Sequence, residues 1–342
     1  MKSRIVMVAV GTVLSLFTPG VGSSRAVAAP RAQDVLAALP FSAAEKQHIV
    51  GGDVVTTSAK ESSERELAVA MAFLVQQPPA DLVGEFRAAG GLKTDRIISG
   101  YGEITGDGSL DDFKGLTLLP DRQQATQRYL DAKPGEEWNL DTAEIAAFAA
   151  LKAQHVAGTD AVQPVEAEVR DMLLARYRAY RAGGLSAIAP YDRGGSKRQP
   201  GEELMHASAA SAAVVQCAPA LQEVLLMYPQ AKPAQIEERF FWINFTIDAQ
   251  PTIALSHRLA QQLDGGGYLV ADRHYYVSRS HNTVQVVGGL LPVSEGTIVF
   301  WINRTSTDQA GGFASWLKRA IGDRIMAKQM SDTFVKLLAH HL

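Results

Sequence analysis

Hydrophobic residues recur with two different periods along this chain, and the change of period divides it into three stretches. Glu66 to Val75 alternates large and small side chains: Leu67, Val69, Met71, Phe73 and Val75 on one side, Ala68, Ala70 and Ala72 on the other. Period two predicts a strand whose large face meets a core and whose alanine face lets another element come close. Gln76-Gln77-Pro78-Pro79 ends it, because proline supplies no amide to a ladder. A short helix from Asp81 carries Leu82, Val83 and Phe86 until Gly90-Gly91 stops it. Two further strands are expected at Arg96–Ile104 and Phe113–Leu118. The hairpin turn TGDGSLDD between them lacks the residue order of a calcium loop. An amphipathic piece over Asp34–Ile49, broken by LPFS, precedes all of these.

Residues 120–240 follow a helical period. NLDTAEIAAFAALKAQHV opens with a capping box, Asp141 with Glu144, ahead of Ile145, Phe148, Ala149 and Leu151. In the next helix Pro164 stands near the start and Gly183-Gly184 at the end. Val165, Val169, Met172, Leu173, Tyr177 and Tyr180 form its apolar stripe. The polar loop AIAPYDRGGSKRQPG and helical pieces at 202–216 and 219–228 complete the block.

Period two then returns in Phe240–Ile247, Thr252–Gln261, Gly267–Ser278, Thr283–Leu290 and Thr297–Arg304. The separators LDGGGY, SHN and PVSEG are short, which favours antiparallel neighbours. A final helix over 311–339, roughly 43 Å long at ~1.5 Å per residue, presents Phe313, Trp316, Leu317 and Ile321 on one face. The expected fold is therefore α+β: a curved antiparallel sheet wrapped on a long C-terminal helix, with a large helical insertion. The corresponding organisation is a leader at 1–28, a first half of the α+β domain at 29–119, the insertion at 120–239 and a second half at 240–342.

The order of strand, PPADLVGEF helix, antiparallel strands and long last helix resembles the START-like (SRPBCC, helix-grip) superfamily of lipid-transfer domains and polyketide cyclases. MAFLVQQPPADLVGEFRAAG matches the strand and proline turn of that superfamily, and GGFASWLKRAIGDRIM resembles the beginning of its closing helix. The whole chain, with DDFKGLTL, FFWINF and WINRTSTDQAGGF, also resembles a group of exported bacterial proteins of unknown function. The helix-grip resemblance implies a cavity between the sheet and the C-terminal helix, occupied by an apolar molecule.

The first residues bear on location. Lys2 and Arg4 precede a 13-residue apolar run, Ile5 to Phe17, and Ala26-Val27-Ala28 offers a small-residue cleavage site. That is the order of a secretory leader, and the run is shorter than the ~20 residues of a spanning helix. The expected product is exported, periplasmic or secreted, without a stable transmembrane anchor. Removing Lys2, Arg4 and Arg25 moves the formal charge from −3 to −6, which does not suit nucleic acid. A single cysteine, Cys217, excludes an internal disulfide and a cysteine-cluster metal site, and its apolar surroundings suit a buried, inert thiol.

Candidate chemistry concentrates in GYLVADRHYYVSRSHNTVQVV. Parity along the strand groups Val270, Asp272, His274 and Tyr276 on one face and Ala271, Arg273, Tyr275 and Val277 on the other. His257 groups with Ile253, Leu255 and Leu259, so it is expected deeper inside than His274. A buried Asp272 or Arg273 needs a partner, and Arg304, Asp308 and Arg279 are the candidates. Three readings remain open: a structural polar network, anchors for the head group of an apolar ligand, and an acid–base site. Catalytic candidates are His257, His274 and Asp272; ligand-binding candidates are His257, Arg273, Tyr275, Trp301 and Trp316. His257, His274 and His281 lack metal-ligand spacing, and no G-x-S-x-G, G-x-G-x-x-G or P-loop is present, so neither metal nor cofactor is expected. The leading expectation is a non-enzymatic binding protein for a lipid-like or aromatic small molecule. The alternatives are a cavity enzyme (cyclase, lyase or hydrolase) with a histidine base, and a structural or assembly protein of the cell envelope.

Overall fold

Strands β1 (Val55–Ser58) and β2 (Glu66–Val75) pair antiparallel at one end of the sheet. The alternation in β2 does what a strand covered on both faces requires. Leu67, Val69, Met71 and Phe73 pack with Val299 and Trp301, while Ala68, Ala70 and Ala72 join the larger core on the other face. The computed structural model describes residues 36–37, 39–82, 97–154, 160–211, 218–247 and 249–310. The expected leader at 1–28, most of the helix expected from Asp81, Cys217 and the C-terminal helix with Trp316 lie outside these residues.

The remaining strands are β3 (Ile98–Ile104), the short pair β4 (Tyr191–Asp192) and β5 (Lys197–Arg198), then β6 (Ile236–Ile247), β7 (Gln250–Gln262), β8 (Tyr268–Val277), β9 (Thr283–Val293) and β10 (Gly296–Ser306). The main sheet is curved, open and antiparallel throughout, in the order β1-β2-β10-β9-β8-β7-β6-β3. The five late strands form a meander, as their short connections predict. β2 is inserted beside the last of them over ten paired residues, Glu66–Val75 against Thr297–Ser306.

Among the described residues the helices include α1 (Ala43–Val50), α2 (Arg122–Leu130), α3 (Thr142–Gln154), α4 (Val162–Gly183), α5 (Pro200–Ala210) and α6 (Pro219–Met227). The whole expected stripe of α4, Val165 to Tyr180, is buried in one core with Ile253, Leu255 and Leu259 of β7. Gly184 ends α4 with φ of 62°, and a Cβ there would stand 1.8 Å from the Tyr228 carbonyl oxygen. No other residue fits that combination of turn and close approach. Among the described residues no helix is long and apolar enough to cross a membrane.

Two local expectations are corrected. Phe113–Leu118 is not a strand, and TGDGSLDD is not a hairpin turn: the chain makes a 3-10 turn at Leu110–Phe113 and then runs without ladder partners. Side chains meet its backbone instead, with Arg170 donating to Leu116 O, Asn244 to Thr117 O, and the Leu118 amide donating to Glu166. Helix α4 and strand β6 thus do what a neighbouring strand would do. The second correction concerns β8. Between Leu255 and Ser256 of β7 the partner jumps from Tyr276 to His274. Tyr275 is the extra residue of a β-bulge, which reverses the alternation after it. Tyr276 therefore joins Tyr275 in the helix-side core, and Val277 turns to the other face.

Candidate functional site

On its helix side β8 presents Arg273, Tyr275 and Tyr276. Arg273 is 1% exposed, yet among the described residues no carboxylate pairs with it. Its Nε donates to Gln285 Oε1, its Nη2 to Ser208 Oγ and Leu225 O (2.9 and 2.6 Å), and its Nη1 to Tyr180 Oη at 3.2 Å. Neutral oxygens from β9, α4, α5 and α6 thus converge on the guanidinium. Tyr180 Oη lies 2.9 Å from His257 Nδ1, and His257 Nε2 stands 3.0 Å from Glu238 Oε1. Arg273 donates to Tyr180, whose hydroxyl proton is then available to Nδ1, and this tautomer leaves the Nε2 proton on the Glu238 side. Burial holds His257 below the ordinary histidine value, with Glu238 opposing the effect, so the ring is neutral at neutral pH.

The other face of β8 carries a separate cluster. Asp272 stands opposite Arg258 in the ladder, with Arg258 Nε donating to it at 2.5 Å and Ser256 Oγ at 2.7 Å. The expected partners serve elsewhere: Arg304 pairs with Glu66, Asp308 with Arg193 and Arg198, and Arg279 donates to Ile247 O. The cross-strand register decides this pairing. His274 is as fully buried as His257, contrary to expectation, and its Nε2 is 3.6 Å from Asp272. Burial keeps it neutral as well.

A cleft of about 190 Å³ opens on the helix side, between α4, the start of α3 and β8. Asp141 and Glu144 reach it because the expected capping box forms: Glu144 Oε2 accepts the Asp141 amide and Asp141 Oδ1 accepts the Glu144 amide, both at 2.8 Å. The same Glu144 holds Arg176 through two hydrogen bonds of 2.6 Å, to Nε and Nη2. Burial works against the Arg176 charge, but Glu144 together with Tyr276 and Tyr191 outweighs it and the group is held above the ordinary arginine value. The guanidinium lies over the Tyr276 ring, 4.3 Å from its centroid, and Tyr275 stacks on Tyr180 at 4.0 Å. Three buried polar atoms of these lining residues have no hydrogen-bond partner among the described residues: Arg176 Nη1, Tyr275 Oη and Tyr276 Oη. Burial raises both phenols well above the ordinary tyrosine value, so they are neutral donors.

Of the residues singled out from sequence, Tyr275 lines the cleft, and His257 and Arg273 connect to it through Tyr180. Asp272, His274 and Trp301 belong to the far face of the sheet, and Trp316 lies outside the described residues. Arg176, Glu144 and Tyr276 were not among the site candidates read from sequence. The available signal was Arg176 itself: it stands three and four residues from Leu173, Met172 and Tyr180, in the middle of the apolar stripe of α4. Among the described residues no group of three His, Cys, Asp or Glu side chains forms a metal site. Comparison of the chain with protein-family models, curated proteins and solved structures finds no match.

Proposed function

We propose that this chain is an exported, non-enzymatic binding protein for a small aromatic molecule, held between the sheet and α4. The observation that carries the reading is the cleft of about 190 Å³, walled by Tyr275, Tyr276 and the Ala175 and Ala179 face of α4. An apolar cavity of about 150 Å³ admits benzene, and pockets for larger ligands start near 300 Å³. The size therefore favours a single-ring compound over an acyl chain. Membership of the helix-grip superfamily is part of the proposal. It is supported by the strand ending in Pro78-Pro79, the helical turn that follows at Pro79–Leu82, and the antiparallel late strands.

A second reading, an enzyme with His257 as base, draws on the chain from Glu238 through His257 to Tyr180. His257 is 0% exposed, and a base must come within hydrogen-bond reach of the proton it takes, so this reading is the weaker one. The test is native mass spectrometry and organic extraction of protein purified from its own host, followed by titration with one-ring aromatic probes. A co-purifying aromatic compound, or saturable probe uptake at one site, is expected. A filled core with neither would overturn the proposal.

A further inference from the structure

Two carboxylates share one arginine where the β4–β5 hairpin meets the end of β10. Asp308, 8% exposed as a side chain, stands 2.9 Å from Arg193 Nε, 2.6 Å from Arg198 Nη2 and 3.6 Å from Arg65 Nε. Arg193, in the hairpin turn, also donates to Gly135 O, Trp138 O, Asn139 Oδ1 and Asn282 Oδ1, so the turn pins three separate segments together. Glu203 of α5 is held far less well. Among the described residues its cation is Arg198, with Nε 3.8 Å from Oε1, and that guanidinium is closer to Asp308. Asn282 donates to Oε1 at 3.4 Å, while Oε2 has no hydrogen-bond partner among the described residues. A carboxylate only 12% exposed is costly to keep charged there. Burial raises Glu203 above the ordinary glutamate value and Asp308 adds to the effect; Ser306, Arg198 and Asn282 offset it only in part. Two charged or titratable neighbours are accounted for. Arg304, which reaches α5 at Ala210 O, is paired with Glu66, and His281 beside Asn282 is buried and neutral.

We propose that Glu203 operates the hairpin as a proton-controlled latch: neutral, it lets the hairpin close over the Asp308 cluster without burying a poorly paired charge, and ionised, it favours an opened hairpin in which water reaches it. The sign follows from linkage. The closed form binds the Glu203 proton more tightly than the open form, so closure is firmest below the ordinary glutamate value and weakens as pH rises through the raised one. The latch reaches the cleft, because Tyr191 of β4 meets Tyr276 edge-on at 6.3 Å and lies 5.7 Å from the Arg176 guanidinium. It needs no occupant there.

Amide hydrogen exchange on the full chain tests this, read at Asp192 and Arg193, whose amides donate to Leu140 O and Ser196 O. Opening is taken relative to amides of the β8–β9 ladder, which carry the pH dependence of His281. The relative opening constant of the wild type is expected to be at least about threefold smaller at pH 5 than at pH 7. Glu203→Gln is neutral at both pH values, so its relative opening should be the same at both and match the wild type at pH 5. A wild type with equal opening at the two pH values overturns the latch. So does a pH dependence that survives in Glu203→Gln, since another group then drives it. If that variant does not fold, ¹³C titration of the Glu203 carboxyl in the wild type decides. A midpoint above the ordinary glutamate value supports the latch, and one at or below it overturns it.

Discussion

Replacing Arg176 with methionine removes the charge that joins α3 to α4 while keeping a long side chain over Tyr276. The cost follows from what is left behind. Glu144, 14% exposed as a side chain, loses both 2.6 Å hydrogen bonds and keeps only the Asp141 amide. Breaking a buried pair from one side costs about 3–5 kcal/mol. Glu144 sits in the first turn of α3, where the helix N-terminus favours a negative charge by about 0.3–1 kcal/mol. The low end of the range, about 3 kcal/mol, is therefore the expectation for Arg176→Met. Glu144→Gln keeps an acceptor for the Asp141 amide but leaves the guanidinium against a neutral group, and about 2 kcal/mol is expected.

The double variant separates the pair from its surroundings. If the carboxylate and guanidinium depend on each other, the double change should cost about 2 kcal/mol less than the two single costs combined. Urea denaturation measures this without added ions to screen the charges. An Arg176→Met cost below about 1 kcal/mol, or costs that add to within about 0.5 kcal/mol, would refute the reasoning. Glu144 would then not hold Arg176.

Burial, with His274 nearby, pushes His281 down to about 3 from an ordinary value of 6.5. Between those values the unfolded chain binds the proton and the folded chain does not, so stability falls as pH is lowered through that window. His281→Gln should abolish about 2 kcal/mol of the loss in urea-measured stability between pH 7 and pH 5; an unchanged pH slope would count against a buried neutral ring. Gly288→Ala places a Cβ 1.8 Å from the Trp301 ring, which lies across it from β10. It should cost about 1–3 kcal/mol and shift tryptophan emission as the ring is displaced, and a neutral effect would show that the ring does not rest there. Tyr180→Phe strips a partner from both Arg273 and His257. A loss of about 1–3 kcal/mol in the same assay is expected, and no loss would mean that the two groups are not joined through the phenol.

The strands and helices were legible wherever one periodicity ran unbroken against one environment. β2 was bounded to the residue because large and small side chains alternate over its full length, and α4 was placed to within a residue at each end because its stripe repeats for about four turns. Legibility ended where a side chain replaced a backbone partner, or where the period itself slipped. Leu116 to Leu118 looks like a strand because its apolar residues are buried, but Arg170, Asn244 and Glu166 satisfy its polar groups, and none of those residues is near it in sequence. Parity along β8 was right up to Arg273 and His274 and wrong after the bulge at Tyr275. A one-residue shift of that kind carries no compositional mark in RHYYV, since tyrosine suits either face.

That slip explains why the site was only half visible. Tyr275 was singled out, but Tyr276 was assigned to the other face, so the two phenols were never seen as neighbours. The partner of Asp272 was missed for a related reason: Arg258 is fixed opposite it by the β7–β8 register, which depends on the Leu263–Gly267 turn rather than on strand composition. Arg176 and Glu144 were hidden differently, each having an adequate local explanation as a helix residue and a cap. A capping glutamate needs no arginine, and an apolar stripe is weakened by one. The two make physical sense together only if the charge in the stripe is balanced by the cap of the neighbouring helix, which takes the Nε and Nη2 edge of Arg176.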